Sequence, residues 1–218
     1  MKKAKIYKTE LAKIQPWNQG APQINAPAIF GARPKHAFYM PLPTTGQRPL
    51  LFSAKNLPSG LSLDKERGII TGTMRASGRF NVEITAQNRL GRSRKRIRIL
   101  IGEQIALTPP LGWNSWNCWG KQVDQGKIQD SAVFMVKSGL AAHGYSYINI
   151  DDGWQGQRSG VLNALQPNEK FPDLKGLCDF VHTQGLRIGI YSTPWAKSYC
   201  KFNGGSAGNP VKYMGGYD

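Results

Sequence analysis

The chain has 218 residues, of which 40% are hydrophobic and 19% charged, a composition that is ordinary for a globular protein and excludes an intrinsically disordered one. No apolar run approaches the roughly 20 residues needed to cross a bilayer. The net charge of +16 is uneven: residues 1–107 contain 19 Lys and Arg against 5 Asp and Glu, whereas residues 108–218 contain 10 against 8. This asymmetry predicts two different domains.

Residues 1–34 are expected to form an irregular leader or linker. The first residues are rich in lysine, as in a signal peptide, but the roughly 7–15 apolar residues that should follow are missing. The sequence therefore contains no complete signal peptide.

Residues 35–103 are predicted to form an all-β sandwich, because short apolar runs alternate with turn residues at the spacing of such folds. The alternation is clearest near the end, where three isoleucines alternate with Arg96 and Arg98, so the isoleucines are expected to face the core. The predicted strands are His36–Met40, Leu50–Ser53, Gly68–Thr71, Arg79–Thr85 and Ser93–Ile101.

This part of the chain resembles the immunoglobulin-like modules that are often joined to bacterial glycosidases. The segments that carry the resemblance are Leu57–Asp64, Gly68–Thr73, Gly78–Val82 and Ala86–Gly91. Such a module has no catalytic machinery. The resemblance implies that it packs beside or orients an enzyme, or that it touches a polymeric substrate.

A basic cluster lies in the last predicted strand and allows two interpretations. The cluster could bind nucleic acid, or it could be the solvated face and protected edge of a strand. We favour the second, because no aromatic residues interleave with the charges to stack bases. Acidic polysaccharide remains a further possible partner. The cluster comprises Arg92, Arg94, Lys95, Arg96 and Arg98.

Residues 104–218 show a different pattern, in which strand-like segments alternate with amphipathic helices, as in a parallel sheet. The predicted strands are Pro110–Trp116, Tyr147–Asp151 and Leu186–Tyr191. One helix is predicted from Ile128, Ala132, Val136 and Leu140 on a single face, ending at Gly144. A second helix is predicted from Leu174, Leu177, Phe180 and Val181, with Asp173 near its start and Gly185 at its end.

Polar and aromatic residues collect where these strands end, and this favours a (β/α)8 barrel over a doubly wound sheet. No glycine-rich phosphate loop follows the first strand. Trp116 follows that strand, Asp151 and Asp152 follow the second, and Tyr191 ends the third. In a barrel, the carboxyl ends of the strands form the active-site mouth, so we expect these side chains to meet there.

The residue types at these positions suit a carbohydrate. Carboxylates accept hydrogen bonds from sugar hydroxyls, and a tryptophan covers the apolar face of a pyranose. Asp151 and Asp152 could also be a helix N-cap or a solvated turn. A divalent metal is a further use of paired aspartates, but no third carboxylate or histidine falls at a ligating position nearby.

Three blocks of this domain resemble glycoside hydrolase family 27, the family of α-galactosidases and α-N-acetylgalactosaminidases. The blocks are Leu107–Asn117, Gly139–Gln155 and Phe171–Ser192. The fold class is therefore expected to be multidomain β plus α/β: an immunoglobulin-like β-sandwich followed by the first three βα units of a truncated (β/α)8 TIM barrel.

The resemblance implies a retaining exo-α-galactosidase that needs no cofactor or metal, acts on α-galactoside oligo- or polysaccharides and is periplasmic or secreted. Trp116 would stack on the sugar, Asp151 and Asp152 would bind the galactose hydroxyls at positions 4 and 6, and Tyr191 would line the pocket. The family's catalytic aspartates end the fourth and sixth strands, so both are expected beyond Asp218. We therefore expect these 218 residues alone to lack hydrolase activity.

Two alternatives remain at this point, namely a carbohydrate-binding protein without chemistry and a nucleic-acid-binding protein that uses the basic half. The chain also departs from the family: many members have cysteine after the aspartate pair, where Gly153 stands here. Cys118 therefore lacks its expected partner, and the role of Cys200 is open. The three cysteines, Cys118, Cys178 and Cys200, match no zinc-site spacing.

Overall fold

The computed structural model describes residues 16–206, which fold around two separate hydrophobic cores. The first core is formed by residues between Ile24 and Ile101, and the second by residues between Val123 and Leu186. Within the described part of the chain, no helix is long and apolar enough to span a membrane.

Over its described residues, the first domain contains nine strands that form two main sheets and one short pair. The strands are β1 (Gln23–Ile24), β2 (Ile29–Ala32), β3 (Ala37–Pro41), β4 (Thr44–Thr45), β5 (Leu51–Lys55), β6 (Leu61–Asp64), β7 (Ile69–Thr73), β8 (Gly78–Asn88) and β9 (Gly91–Ile101). One sheet has the order β2-β9-β8-β5, a second has the order β3-β7-β6, and β1 pairs with β4.

The two main sheets share one core, as expected of a sandwich. Inward residues of the four-stranded sheet and of β3 and β7 belong to the same buried cluster. Ile97, Ile99 and Ile101 are at most 3% exposed, which confirms the predicted alternation in β9. The turn between β8 and β9 is closed by the side chain of Asn88, whose Oδ1 accepts hydrogen bonds from Leu90 N and Gly91 N.

The structure differs from the predicted leader over its described part. Instead of an irregular segment up to Pro34, residues 16–34 include β1 and β2, and β2 pairs in parallel with the end of β9. Ile24 and Ala26 lie in the core of the sandwich. These strands were missed because they are only two and four residues long and lie among prolines. Residues 1–15 of the predicted leader lie outside the described part.

Up to residue 206, where the description of the chain ends, the second domain contains a parallel sheet, a hairpin and four α-helices. Its elements are β10 (Gly112–Asn114), α1 (Trp116–Trp119), a 3-10 turn (Gly120–Gln122), α2 (Gln125–Lys137), α3 (Leu140–His143), β11 (Tyr147–Ile150), β12 (Gln155–Ser159), β13 (Ala164–Pro167), α4 (Leu174–Thr183) and β14 (Arg187–Ile190). The sheet has the order β10-β11-β14, and both pairings are parallel.

The helices bury their predicted faces against this sheet, with one correction. Ile128 and Ala132 are fully buried, but Leu140 is 40% exposed because α2 ends before Gly139. Gly139 adopts a φ of 86°, and a Cβ there would lie 2.1 Å from the indole of Trp17. The chain therefore turns at this glycine, and Leu140 begins the separate helix α3.

The predicted α4 is confirmed in both its buried face and its N-terminus. Leu177 and Val181 are completely buried, and Oδ1 of Asp173 accepts a hydrogen bond from Gly176 N at 2.8 Å. This side-chain acceptor satisfies one of the free N–H groups of the first helical turn. By contrast, the predicted first strand is shorter than expected, since Trp116 already begins α1.

The two domains are joined at the N-terminal edge of the parallel sheet. Arg187, the first residue of β14, donates hydrogen bonds to Tyr39 O at 2.7 Å and to the hydroxyl of Tyr147 at 2.6 Å. Its guanidinium also lies 4.7 Å from the ring centroid of Phe30. The Tyr39 hydroxyl in turn donates to His182 O at 2.9 Å. The first domain thus contacts the edge opposite to the carboxyl ends of the strands.

Candidate functional site

The carboxyl ends of β10, β11 and β14 lie side by side at one edge of the parallel sheet. The register pairs Asn114 with Asn149 and Ile150 with Ile190, so all three strands end at the same level. The residues that follow are those singled out in the sequence. The structure therefore brings three of the predicted positions, Trp116, Asp151 and Tyr191, to adjacent strand ends.

Ser115 connects the first two strand ends and is completely buried. Its backbone N–H donates to Asn149 O at 3.1 Å, and its Oγ accepts a hydrogen bond from Asp151 N at 2.9 Å. Trp116 N donates to Asn114 Oδ1 at 2.9 Å, which holds the start of α1 against β10. Trp116 and Asp151 are both partly exposed, so both can contact a bound molecule.

The two aspartates have different surroundings. Asp152 is 3% exposed, and its carboxylate accepts hydrogen bonds from Gln155 Nε2 at 2.9 Å and from Cys200 N at 3.1 Å. Asp151 is partly exposed, and its Oδ1 accepts from Asp152 N at 2.7 Å. Within residues 16–206 its Oδ2 accepts no hydrogen bond. Asp151 is thus the carboxylate with an oxygen available to a ligand.

Gln155 ties the turn after β11 together. Its Oε1 accepts from Gly153 N at 2.9 Å, while its Nε2 donates to Asp152. Gln155 was not predicted as a site residue, although its position three residues after Asp152 allows a local side-chain pair. Gln155 is 3% exposed, as is Asp152, so the Gln155 amide and the Asp152 carboxylate form a buried polar pair.

Tyr191 is positioned by the backbone of the neighbouring strand. Its N–H donates to Ile150 O at 2.8 Å, and its carbonyl accepts from Trp154 Nε1 at 2.9 Å. Burial raises the pKa of the Tyr191 phenol, and the negative charges of Asp152 and Asp151 raise it further. The ring therefore shares its electrostatic environment with both carboxylates and remains a neutral hydroxyl near neutral pH.

Cys200 brings a distant loop to the aspartate pair. The backbone N–H of Cys200 donates a hydrogen bond to Asp152. Burial raises the pKa of the Cys200 thiol, and the nearby charge of Asp152 raises it further. No sequence signal identified this contact, because 48 residues separate the two positions. The Cys200 loop is therefore held to the site by the carboxylate of Asp152.

Gly153 occupies the position at which the family resemblance leads one to expect cysteine. It adopts a φ of 111°, which favours glycine, and a Cβ there would lie 3.5 Å from the Cα of Lys121. Lys170 lies behind this turn and donates to Lys121 O at 2.8 Å. Cys118 is exposed and forms no disulfide with Cys178 or Cys200.

The two adjacent carboxylates of the site do not have the arrangement of a hydrolytic pair. Asp151 and Asp152 leave the same strand end, whereas two catalytic carboxyl groups of a glycosidase flank the bond from opposite sides. Among residues 16–206, no three His, Cys, Asp or Glu side chains cluster as metal ligands would. The chemistry that these residues offer is hydrogen-bond acceptance beside aromatic rings.

Two family models match the chain, and the boundary between them falls between the two hydrophobic cores. A model described as Alpha galactosidase A matches residues 108–213, and a model described as Putative Ig domain matches residues 21–101. Among curated proteins, Alpha-galactosidase A of Cellvibrio japonicus is 46% identical over 110 residues, covering 49% of this chain and 26% of that protein. Alpha-galactosidase of Coffea arabica is 42% identical over 114 residues, covering 51% of this chain and 30% of that protein.

The chain thus spans between a quarter and a third of the length of these two curated relatives. Two solved structures from Bacteroides fragilis match over both domains. One is described as a putative alpha-galactosidase and has a TM-score of 0.82 at 41% identity, covering 88% of this chain and 41% of that chain. The other, described as a putative alpha-galactosidase/melibiase, has a TM-score of 0.81 at 40% identity, covering 86% and 41%.

Proposed function

We propose that the site binds a terminal α-galactosyl group, because residues 108–213 match the model described as Alpha galactosidase A and residues 21–101 match the model described as Putative Ig domain. The parent protein would be a retaining exo-α-galactosidase acting on α-galactoside oligo- or polysaccharides. The observation that carries the proposal is the alignment of three strand ends, which brings Trp116, Asp151 and Tyr191 to one edge of the sheet.

We also propose that the parallel sheet is the beginning of a (β/α)8 barrel. Three adjacent parallel strands in chain order, with α2 and α4 between them, have the connectivity of such a barrel. The position of the site supports this, since barrel enzymes bind substrate at the carboxyl ends of the strands. The first domain would then lie at the opposite end of the barrel, away from the substrate.

Each of the four site residues would make a different contact with the sugar. Asp151 would accept hydrogen bonds from the sugar hydroxyls at positions 4 and 6 through its free oxygen. Asp152, whose two oxygens already accept protein hydrogen bonds, would bind with its remaining lone pairs and hold the Cys200 loop in place. Trp116 would cover the apolar face of the ring, and Tyr191 would line the pocket wall.

Catalysis would be the task of other carboxylates of the parent protein. A retaining glycosidase needs two carboxyl groups about 5–5.5 Å apart on either side of the glycosidic bond. Consecutive residues at one strand end cannot occupy both sides. Asp152 is moreover 3% exposed, which leaves little room for an attack on a sugar carbon. We therefore assign the aspartate pair to recognition.

The test compares two sugars that differ only at carbon 4. Saturation-transfer NMR of the 218-residue chain with methyl α-galactoside and methyl α-glucoside is expected to give a stronger signal for the galactoside. Asp151→Asn should abolish this difference, because the neutral amide is a poorer hydroxyl acceptor and carries a competing donor.

Asp130→Asn is the matched control, since it removes the same charge from an exposed position on α2. It should leave the preference for galactoside unchanged. Equal signals for the two sugars, or a preference that survives in Asp151→Asn, would reject the proposed site.

A further inference from the structure

The outward face of the four-stranded sheet carries a column of arginines. Arg92, Arg94, Arg96 and Arg98 alternate along β9, and all four are exposed. We call these four residues the arginine face. Because residues two apart on a strand lie about 6.6–6.8 Å apart on the same side, the four guanidinium groups form a row on the order of 20 Å long.

Lys95 does not belong to this row, although it is part of the same basic run in the sequence. It pairs with Ile84, whose side chain is completely buried, so Lys95 lies on the other side of the sheet. The strand β2 pairs only with Arg98–Ile101, so among the described strands the part of β9 that carries Arg92, Arg94 and Arg96 pairs with β8 alone and lies at the edge of the sheet, as predicted.

The arginine face is poorly neutralised by its neighbours. The strand β8 places Asn81, Thr85 and Gln87 opposite Arg98, Arg94 and Arg92. The single carboxylate of β8 on this face is Glu83, opposite Arg96. No ion pair within residues 16–206 involves any of the four arginines. The surface thus combines free cations with amide and hydroxyl groups.

The rest of the protein leaves this surface open. Hydrogen bonds to the second domain come from Asn25, Tyr39 and Arg67, and further contacts come from Trp17 and from Phe30 of β2; none of these residues lies on β8 or β9. The arginine face points outward from the four-stranded sheet, away from the three-stranded one. A long molecule could therefore lie along β9 without meeting the second domain.

We propose that the arginine face binds an acidic polysaccharide. A guanidinium offers two parallel N–H donors that fit a carboxylate or a sulfate, and a regular row of them suits a polymer with repeated acidic groups. Asn81, Thr85 and Gln87 add the neutral hydrogen-bonding groups that sugar hydroxyls require. This binding is separate from the galactosyl site and does not depend on it.

Nucleic acid is the competing polyanion, and the surface is less suited to it. Proteins that bind single strands stack bases on aromatic side chains. None of the outward positions of β5, β8 and β9 is aromatic, since these positions hold Leu51, Ser53, Lys55, Arg79, Asn81, Glu83, Thr85, Gln87, Arg92, Arg94, Arg96, Arg98 and Leu100. Stacking of bases on aromatic rings is therefore absent from this face, and a single strand would be held chiefly through its phosphates.

The experiment measures the binding of the 218-residue chain to immobilised polygalacturonate and to heparin, with neutral galactomannan as the uncharged reference. We expect binding to both acidic polymers that weakens as salt is raised, and none to galactomannan. Replacing all four arginines of the arginine face by glutamine should weaken binding by about tenfold or more, since each exposed charge pair contributes modestly.

The matched control replaces four exposed cations elsewhere by glutamine, namely Lys35, Lys65, Arg89 and Lys137. It changes the net charge equally and should reduce affinity by less than about threefold if the effect is local rather than global. Glu83→Gln is expected to raise affinity, because it removes the carboxylate opposite Arg96. A gain of affinity cannot arise from a loss of folding.

Several outcomes would overturn the proposal. If the arginine-face variant and the control variant lost equal affinity, the binding would depend on net charge and not on the arginine face. A loss of affinity in Glu83→Gln would contradict the assigned surface. Tighter binding of single- or double-stranded DNA than of either polysaccharide at the same salt would assign the face to nucleic acid instead. None of these results bears on the galactosyl site, whose tests use neutral sugars.

Discussion

The carboxylate of Asp152 is expected to hold the Cys200 loop, and Asp152→Asn tests this directly. The amide of asparagine keeps one oxygen but turns the other acceptor into a donor. That donor must face either Gln155 Nε2 or Cys200 N, both of which are themselves donors. One hydrogen bond to a charged acceptor is lost, a loss of about 1.5–3 kcal/mol, and the relief from burying a charge offsets part of it.

We therefore expect Asp152→Asn to lower the free energy of unfolding by about 2 kcal/mol. For a chain of this size the melting temperature should fall by roughly 4–8 °C. If the loss is local, hydrogen exchange at the Cys200 amide should accelerate by about 30-fold, the factor that corresponds to 2 kcal/mol.

Asp151→Asn provides the matched control for this measurement. Asp151 accepts a single hydrogen bond, from Asp152 N, and asparagine retains an oxygen that can accept it. Its melting temperature should change by less than about 3 °C. Equal effects of the two substitutions, or unchanged exchange at Cys200 in Asp152→Asn, would refute the assigned role of Asp152.

Three further predictions concern other parts of the chain. Arg187→Met should lower the free energy of unfolding by about 2 kcal/mol, measured in urea, because it leaves Tyr39 O without its donor; unchanged stability would contradict the described docking. Asp124→Ala should destabilise α2 by about 1 kcal/mol, seen as faster amide exchange. Burial alone would raise the pKa of Asp124, but hydrogen bonds from Lys127 outweigh this effect and lower the pKa below its ordinary value. The stabilisation that Asp124 provides is therefore complete above the ordinary carboxyl pKa and is lost as pH falls through the lowered one. A stability difference between Asp124→Ala and the parent chain that did not change with pH would be inconsistent with this. Alkylation should modify exposed Cys118 well before Cys200, whose thiol pKa is raised, and mass spectrometry would show the order.

Local patterns made the sandwich and the strand ends predictable. Alternating isoleucines identified the buried side of β9, and the position of Asp151 after an apolar strand identified the edge of the sheet at which it lies. Both signals involve residues within one element, where the period of side-chain direction is set by backbone geometry. The helix α4 was predictable for the same reason, with Asp173 as its N-cap.

Contacts between distant parts of the chain were not predictable. The bond between Asp152 and Cys200 joins residues 48 apart, and the bond between Arg187 and Tyr39 joins residues 148 apart. The periodicity of apolar residues along the sequence does not indicate which distant residues will be in contact. The break of the predicted first helix at Gly139 likewise depends on Trp17, which packs where a side chain would otherwise stand.

The central claim is that the aspartate pair at the end of β11 belongs to a galactosyl-binding site. Backbone amide NMR of the 218-residue chain, titrated with methyl α-galactoside, tests this most directly. We predict that the largest shifts occur at Ser115, Trp116, Asp152 and Tyr191. Shifts confined to other surfaces, or the same shifts with methyl α-glucoside, would contradict it.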